Sequence, residues 1–354
     1  MKTKNARLGS LNATICGFLI FGVLLFIATP DLEAKTITLR YATHNPNRGV
    51  EAESAIWMMD EITKRTNGGV KFQQYFGQSL LKVREILRGI QNRTTDMGLL
   101  GTAVFPKELP QWQVTLPFIR GPVDPKKKAA FFWELYEQSP ELKTELAGLN
   151  QRLVAIAAFG NMSIGGPKPL KALAEIKGMR VRCAGGYDAK HVTDLGAKVV
   201  FIPGPEVYSA MQKGALDVNY APVTTYHKYR LYEIGESNHL LVIPQFQGMP
   251  FLITINMDTW ESLPAEVQQI ISQVGREYSK IETDKISTAE RQDRDEMAKA
   301  GCTIIDLSKE DVQHWADISE KGCITKWVEE AQKMGLEGEK LMERTIGLIR
   351  KYSD

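Results

Sequence analysis

The sequence predicts an α/β protein with two lobes, and three observations lead to this class. Strand-like and helix-like apolar patterns alternate near the start of the chain, the same alternation returns in the middle with different residues, and the end is mainly helical. The length of 354 residues suits about two domains of ordinary size. Hydrophobic residues make up 43% of the chain and charged residues 24%, a globular composition with enough apolar material for sizeable cores.

The first lobe is predicted from apolar residues that alternate in strands and recur at helical spacing between them. Its elements are a strand over 37–41, a helix from residue 52 to the Asn-Gly-Gly break at 67–69, a strand over 70–76, a helix over 83–90 and a strand over 96–100. A β-α-β-α-β order implies parallel strands joined by right-handed crossovers. We therefore assign residues 35–152 to the first part of lobe I.

The second lobe repeats this alternation, and we assign it to residues 153–250. Its predicted elements are strands over 153–159, 180–183, 199–202, 217–220 and 239–243, with helices over 188–195 and 206–213. Residues 251–354 return to lobe I, with a strand over 251–256, helices over 264–300, 309–334 and 338–351, and a strand over 303–306. Strands that cross between two lobes make a hinge, and the crevice between them can bind a ligand by closure.

The first 34 residues differ in composition from the rest. Their start is basic, and residues 15–28 form a run of 14 residues without charge. This run is shorter than the ~20 residues that a membrane-spanning helix needs. Small residues near Ala34 offer a cleavage site. We predict a signal peptide over 1–34, cut after Ala34, and export to the periplasm; an uncleaved anchor is the alternative.

Composition and motifs argue against several classes of function. The net charge is +2 and no basic block interleaves with aromatic residues, which argues against a nucleic-acid partner. We interpret the basic run at 126–128 as a solvated turn after Pro125. No G-x-S-x-G elbow, P-loop or G-x-G-x-x-G motif follows a predicted strand, so no catalytic constellation and no cofactor are predicted. The five histidines lack the i, i+4 pairing of a helix-borne metal site.

Three cysteines remain after the predicted signal peptide: Cys183, Cys302 and Cys323. An odd number leaves at least one of them unpaired within a monomer. A disulfide between Cys302 and Cys323 is one alternative in an oxidising compartment, and free thiols are the other. We interpret Cys183, which precedes His191 by a short interval, as a small buried thiol rather than half of a thiol–imidazole pair.

Two segments in the middle of the chain carry the most specific pattern, KGMRVRC at 177–183 and DLGAKVVFIPGPEVYSAMQKGALDVN at 194–219. Further segments stand in a fixed order around them: EITKRTNGGVKFQQYFGQSL at 61–80, VREILRGIQNRTTDMGL at 83–99, LPFI at 116–119, INMDTWESLPAEVQQII at 255–271 and AGCTIIDLS at 300–308. Together they resemble the solute-binding proteins of TRAP transporters, the tripartite ATP-independent periplasmic transporters, over nearly the whole mature chain.

This resemblance implies a periplasmic-binding-protein-like clamp of two lobes with crossing hinge strands and a helical C-terminal segment. It implies no enzyme activity and no cofactor. The expected partners are a small organic acid and the membrane subunits of the transporter, and we expect a monomer or a weak dimer. The alternatives are the binding protein of an ATP-driven importer, a detached sensor domain, and a secreted enzyme on the same fold.

The resemblance also implies that Arg182 is the arginine that binds the ligand. A guanidinium at a strand end can hold a carboxylate with two parallel charge-assisted hydrogen bonds, which a lysine cannot reproduce. Arg180 lies two residues away on the same predicted strand face and is the alternative. Gly185 belongs to a tight glycine turn, and the helix that follows can help to hold an anion.

Further candidates for ligand binding are weaker. They are His44 after the first strand, Asn161 at the end of the strand that begins lobe II, the aromatic residues Tyr220 and Phe246, and Gln247. Met162 stands near the position where many members of the resembled family carry a second arginine, and Tyr220-Ala221-Pro222 stands where they often show Glu-Asn-Pro. Both differences replace polar contacts with bulkier or less polar groups. We therefore predict a monocarboxylate with an apolar or aromatic body.

Overall fold

This computed structural model describes residues 36–235, 238–246 and 248–353. The predicted signal peptide and Gln247 lie outside the described residues. The described chain forms two β-sheets with helices packed around them, which confirms the predicted α/β class with two lobes. Within these ranges, none of the helices combines the length and the apolar character that crossing a membrane requires.

The described residues form eleven strands and eleven α-helices. The strands are β1 Ile37–Ala42, β2 Val70–Tyr75, β3 Met97–Gly101, β4 Gln151–Ala157, β5 Met162–Gly166, β6 Arg180–Arg182, β7 Lys198–Val200, β8 Val218–Pro222, β9 Asn238–Ile243, β10 Phe251–Asn256 and β11 Cys302–Asp306. The helices are α1 Val50–Arg65, α2 Ile86–Gln91, α3 Pro125–Gln138, α4 Pro140–Gly148, α5 Gly186–Asp194, α6 Val207–Gln212, α7 Val223–Lys228, α8 Met257–Ser262, α9 Ala265–Lys299, α10 Lys309–Lys333 and α11 Gly338–Tyr352.

The first sheet has the strand order β2-β1-β3-β10-β4. Its strands β1, β2 and β3 run parallel, because the helices between them carry the chain back to the same end of the sheet. Strand β10 runs antiparallel to both β3 and β4. The core of this lobe contains buried side chains from α1, α3 and α9, including Ile62, Phe131 and Tyr278.

The second sheet has the order β11-β9-β5-β8-β6-β7. Strand β6 runs parallel to β7 and β8, and β5 runs antiparallel to β8 and β9. Strand β11 adds to the edge of the sheet parallel to β9. The chain therefore crosses from the first sheet to the second between β4 and β5, returns between β9 and β10, and crosses again after β10.

Sheet membership differs from the predicted lobe boundaries at two strands. The boundary at residue 153 assigned β4 to lobe II, but β4 pairs with β10 in the first sheet, with Ala157 opposite Phe251. Strand β11 was assigned to the return to lobe I, but it pairs with β9 in the second sheet, with Cys302 opposite Asn238. An apolar run predicts a strand without indicating its neighbour, so only the pairing could place these two.

Helix α9 connects the two lobes. Its 35 residues span about 52 Å at the α-helical rise of 1.5 Å per residue. It packs on α1, α3 and β4 of the first lobe and on α7 and β11 of the second. Its buried side chains include Ile271, Val274 and Tyr278, spaced three and four residues apart, and Ile286 about two turns further on, so they form one apolar face.

The basic run at 126–128 is not a solvated turn, and that prediction is wrong. It forms the first turn of α3, where the Asp124 carboxylate accepts hydrogen bonds from the backbone nitrogens of Lys126 and Lys127 at 2.9 and 3.0 Å. The side chain of Lys128 is 0% exposed. Helical spacing places Lys128 on the inward face together with Phe131 and Phe132, whereas its two lysine neighbours point outward.

The cysteines of the described chain are free and buried. Cys302 lies against Asn238 in the second lobe, whereas Cys323 contacts Ser319 and His191. The alternative of a Cys302–Cys323 disulfide is therefore not realised. Cys183 is buried, as predicted for a small thiol, and burial raises its pKa to about 12.

Candidate ligand-binding site

A cavity of about 320 Å³ lies between the two lobes, a volume within the range of small-molecule sites. The loop after β1, the start of α1 and the start of β10 form its first-lobe side. The end of β6, the glycine turn before α5, the loop after β7 and strand β8 form the other side. A molecule held in this cavity contacts both lobes at once.

Arg182 ends β6 and lines the cavity. Its Nε donates a hydrogen bond to the carbonyl oxygen of Ile202 at 2.9 Å, which fixes the plane of the guanidinium. The described residues offer this guanidinium no salt bridge, and burial lowers its pKa. A half-buried cation whose terminal nitrogens have no carboxylate partner is well suited to an anionic ligand.

Arg180, the alternative anchor, does not line the cavity. Its Nε and Nη2 donate hydrogen bonds to the Asp217 carboxylate at 3.1 and 2.9 Å, and Lys168 lies 2.6 Å from the same carboxylate. The Arg180 guanidinium, followed by Lys168, holds the pKa of Asp217 well below its usual range. Of the two arginines in this strand, the structure therefore places Arg182 at the cavity.

His44 lines the cavity from the loop after β1. Its Nδ1 is buried and has no hydrogen-bond partner among the described residues. The imidazole lies against Phe251, with 5.9 Å between ring centroids. Burial, assisted by the nearby cation of Lys228, lowers its pKa to about 4, so the ring is neutral near pH 7.

A buried ion pair joins the lobes at one end of the cavity. Lys228 Nζ, at the end of α7, lies 3.1 Å from the carboxylate of Glu51 in α1, and both side chains are 8% exposed. Arg48 donates a hydrogen bond to the Lys228 carbonyl oxygen at 3.1 Å. Burial is the largest single influence on Glu51 and acts to raise its pKa, but Lys228, a backbone hydrogen bond and His44 together hold the pKa below its usual value.

The remaining walls are largely apolar. Phe159 and Phe251 meet edge to face, with 4.7 Å between ring centroids. Met162 and Tyr220 form part of the second-lobe wall, and both are buried. Phe201 stands at the rim, where 65% of its surface is exposed.

The glycine turn after β6 places its backbone close to the Phe201 ring at the rim of the cavity. Gly185 has a φ of 110°, which favours glycine, and a Cβ added there would meet the Phe201 ring at 3.5 Å. Helix α5 begins directly after this turn. The predicted role of Gly185 as a tight turn at the cavity therefore agrees with its geometry.

The structure brings five of the predicted site residues together at the cavity: His44, Met162, Arg182, Gly185 and Tyr220. Two others lie elsewhere, and these two predictions are corrected. The Asn161 amide donates to Glu290 in α9 at 2.7 Å. Phe246 is fully buried in the first-lobe core, because its ring packs against Phe131 at 5.1 Å and Phe132 at 5.8 Å, both in α3. Gln247 lies outside the described residues.

Sequence reasoning missed several lining residues, above all Glu51, Lys228, Phe159, Phe201 and Phe251. Glu51 and Lys228 are 177 positions apart, so no local pattern connects them. Phe159 and Phe251 stand beside segments where the chain crosses between the lobes. This position was the one feature of the sequence that could have indicated them as lining residues.

A family model described as bacterial extracellular solute-binding protein, family 7, matches residues 41–324. The chain belongs to this family. It is a solute-binding protein of the TRAP type and not an enzyme, as predicted. Members work outside the cytoplasm, bind small organic acids and act with transporter membrane subunits.

Individual relatives agree with this assignment. A curated solute-binding protein of Albidiferax ferrireducens is 28% identical over 271 residues, 75% of this chain and 77% of the relative. A marine metagenome TRAP solute-binding protein in complex with 3-hydroxybenzoate is 21% identical, with a TM-score of 0.79 over 90% of this chain and 99% of that chain. A protein from Desulfovibrio salexigens with bound orotic acid is 20% identical, with a TM-score of 0.79 over 90% of this chain and 100% of that chain.

Proposed function

We propose that this binding protein captures a cyclic or aromatic monocarboxylate outside the cytoplasm and delivers it to TRAP membrane subunits. The observation that carries the proposal is Arg182, a half-buried guanidinium without a salt bridge among the described residues, which faces a cavity with largely apolar walls. Arg182 binds the carboxylate with two parallel hydrogen bonds. The apolar walls receive the body of the acid.

The formal charges around the cavity favour a ligand with a single negative charge. The charged side chains that line it are three cations, Arg84, Arg182 and Lys228, and two anions, Glu51 and Asp188. One positive charge therefore remains for the ligand to neutralise. A dicarboxylate would bring a second charge into a partly desolvated site without a matching cation, which is unfavourable.

The composition of the walls favours a flat or bulky apolar body. Phe159 and Phe251 present an edge-to-face pair beside His44, and Met162 occupies a wall position where a polar anchor was expected. Aromatic rings in such a wall stabilise a ring of the ligand by offset or edge contacts. The related structures with bound 3-hydroxybenzoate and orotic acid hold cyclic acids of this kind.

His44 supplies the first-lobe contact in this proposal. Its neutral imidazole has no partner for Nδ1 among the described residues and can hydrogen-bond a hydroxyl or carbonyl group on the body of the acid. Arg182 on the other lobe binds the carboxylate. A ligand can shift the hinge towards the closed state only through contacts that exist in that state, and this pair provides them.

The mature protein is proposed to begin at Lys35, after cleavage of the signal peptide at Ala34, and to act in the periplasm as a monomer or weak dimer. The basic start and the 14-residue apolar run support cleavage rather than anchoring.

A calorimetric screen of acids tests the proposed ligand class. We expect benzoate, 3-hydroxybenzoate or orotate to bind at least tenfold more tightly than succinate or a sialic acid, because a methylene-sized mismatch costs roughly 1–3 kcal/mol and an unpaired charge in a desolvated site costs more. Lys126→Gln, at an exposed lysine outside the cavity, serves as the control for surface charge. Preference for succinate would overturn the monocarboxylate proposal.

A further inference from the structure

The crossover between β4 and β5, residues 158–161, is held by three buried ionisable side chains. The backbone nitrogen of Ala158 donates to Glu282 at 3.2 Å. The carbonyl oxygens of Phe159 and Gly160 accept hydrogen bonds from Lys128 Nζ at 3.2 and 3.1 Å. The backbone and side-chain nitrogens of Asn161 donate to the two oxygens of Glu290 at 2.9 and 2.7 Å.

Burial of the Lys128 ammonium in this arrangement has an energetic cost. Lys128 is 0% exposed and Glu290 is 7% exposed, and burying an ammonium or a carboxylate is unfavourable unless hydrogen bonds and an opposite charge compensate. An apolar side chain of similar size at position 128 would avoid that cost. The described contacts of the Lys128 ammonium are to two consecutive carbonyl groups of the crossover, and a methionine could not form them.

The same crossover forms part of the ligand cavity. Phe159 lines the cavity and lies edge to face with Phe251, whose ring in turn lies against His44. Met162, the next wall residue, follows the crossover directly. A shift of residues 158–161 therefore changes the shape of the cavity and the hinge between the sheets together.

Helix α9 approaches the crossover closely enough to constrain its residue types. A Cβ at position 160 would lie 2.4 Å from a carboxylate oxygen of Glu290, so Gly160 is required for this contact. The carboxylate then reaches the Asn161 backbone nitrogen directly. The crossover is thus held from α3 on one side and from α9 on the other.

We propose that Lys128 and Glu290 form a clasp of positioning residues that fixes the 158–161 crossover and, through Phe159, the wall of the ligand cavity. Neither residue lines the cavity. The part of this proposal that concerns ligand affinity rests on the proposed function, whereas the part that concerns the crossover does not.

The clasp gives ligand binding a specific dependence on pH. Burial lowers the pKa of Lys128 to about 8, although Glu290 in α9 and Asp124 at the start of α3 act to raise it. Glu282 of α9 also faces the crossover, and burial raises its pKa. Loss of the Lys128 proton converts two charge-assisted hydrogen bonds into weaker neutral ones, so the crossover loosens as the pH rises through 8.

Affinity for benzoate measured by calorimetry between pH 7 and 9.5 tests the clasp. In the wild type we expect affinity to fall about fivefold over this range, the difference between charged and neutral hydrogen bonds. Lys128→Arg stays charged and should lose this pH dependence. Lys128→Gln should bind weakly at every pH, and Glu290→Gln should move the fall to lower pH, because it removes the carboxylate that raises the pKa of Lys128.

Two further comparisons separate a positioning role from a merely structural one. The folded state holds the Lys128 proton less tightly than the unfolded chain does, so the contribution of Lys128 to the free energy of unfolding rises with pH above 8. As the pH rises above 8, affinity for benzoate should fall. Over the same range, the free energy of unfolding of the wild type should rise relative to that of Lys128→Arg. An affinity loss that is identical in the wild type and Lys128→Arg would assign the pH effect to another group, such as Glu282, and contradict the clasp.

Hydrogen exchange of the Ala158 and Asn161 amides tests the crossover without any ligand. We expect faster exchange in wild type than in Lys128→Arg at pH 9, at equal intrinsic rates, with no difference in β1. Exposed Lys126→Gln is the control and should match the wild type. Equal exchange in wild type and Lys128→Arg would overturn the proposal. Absence of benzoate binding, with the expected exchange, would instead count against the proposed ligand class.

Discussion

Among the described residues, the Arg182 guanidinium makes one hydrogen bond, to Ile202, and Arg182 lines the cavity, whereas Arg180 two residues earlier donates to the Asp217 carboxylate. This difference decides which arginine can bind an anion. The two side chains have the same chemistry, and only the position of Asp217 separates them. Whether an arginine can bind an anionic ligand therefore depends on the lack of a neighbouring carboxylate partner as much as on the arginine itself.

Truncation of Arg182 should weaken binding of the best acid at least tenfold. A hydrogen bond to a charged group contributes roughly 1.5–3 kcal/mol, and Arg182→Ala removes the cation that neutralises the carboxylate. Arg182→Lys should also bind poorly because it keeps the charge without the bidentate geometry. Arg180→Ala is the matched control. Calorimetry that shows a greater loss for Arg180→Ala than for Arg182→Ala would move the anchor.

His44 should make the folded state less stable as the pH falls. Its folded-state pKa of about 4 lies below the usual 6.5, so the unfolded chain binds the proton more readily between these values and stability is lost as the pH falls through that window. Urea unfolding at pH 5 and pH 7 should show a smaller difference in free energy for His44→Gln than for wild type. The exposed His314→Gln is the control, and an unchanged difference in His44→Gln would refute the assignment.

At the scale of the element, local patterns predicted most strands and helices but not their partners. The residues of β4 and β11 read correctly as strands, yet each pairs in the sheet of the other lobe, because pairing depends on contacts distant in sequence. Lys128 shows the same limit: its helical position could be inferred from Asp124 and Pro125, but its burial depends on the carbonyl groups of the crossover.

The residues of the candidate site were also predictable only where a local sequence pattern identifies them. Arg182 and Gly185 lie in one continuous segment with a specific pattern, and both line the cavity. Asn161 is predicted from its place at the end of the strand that begins lobe II, and Phe246 from its aromatic side chain, but hinge and core residues share these features. Neither feature fixes the direction of a side chain, and neither residue lines the cavity.

The ion pair between α1 and α7 should behave as a coupled unit. Breaking a buried pair by removing one partner costs roughly 3–5 kcal/mol, whereas replacing both charges costs much less. We expect Glu51→Gln to lower the free energy of unfolding substantially and Glu51→Gln with Lys228→Met to recover most of the loss. Urea denaturation of both singles and the double variant measures the coupling. Additive losses would show that the pair contributes nothing across the lobes.

At the scale of the whole molecule, the described chain crosses between the two sheets three times, the third time through helix α9, and the sheets otherwise have separate cores. The cavity lies between them, with Arg182 on one side and His44 on the other. Such an arrangement converts binding energy into closure of the hinge, because a ligand bound to one lobe alone gains nothing from the closed state.

The exported chain should begin at Lys35. Intact-mass analysis of protein from the periplasmic fraction should give the mass of residues 35–354. A shorter or longer amino terminus would move the cleavage site, and a chain that retains Met1 in the membrane fraction would refute cleavage.

Small-angle X-ray scattering with and without a saturating aromatic acid tests most directly whether the two lobes close on a monocarboxylate. We expect the radius of gyration to decrease when benzoate or 3-hydroxybenzoate is bound, and to stay unchanged in Arg182→Ala at the same acid concentration, because the contact with the second lobe is lost. A radius of gyration that does not change in the wild type, under conditions where calorimetry shows the acid to be bound, would contradict closure around Arg182.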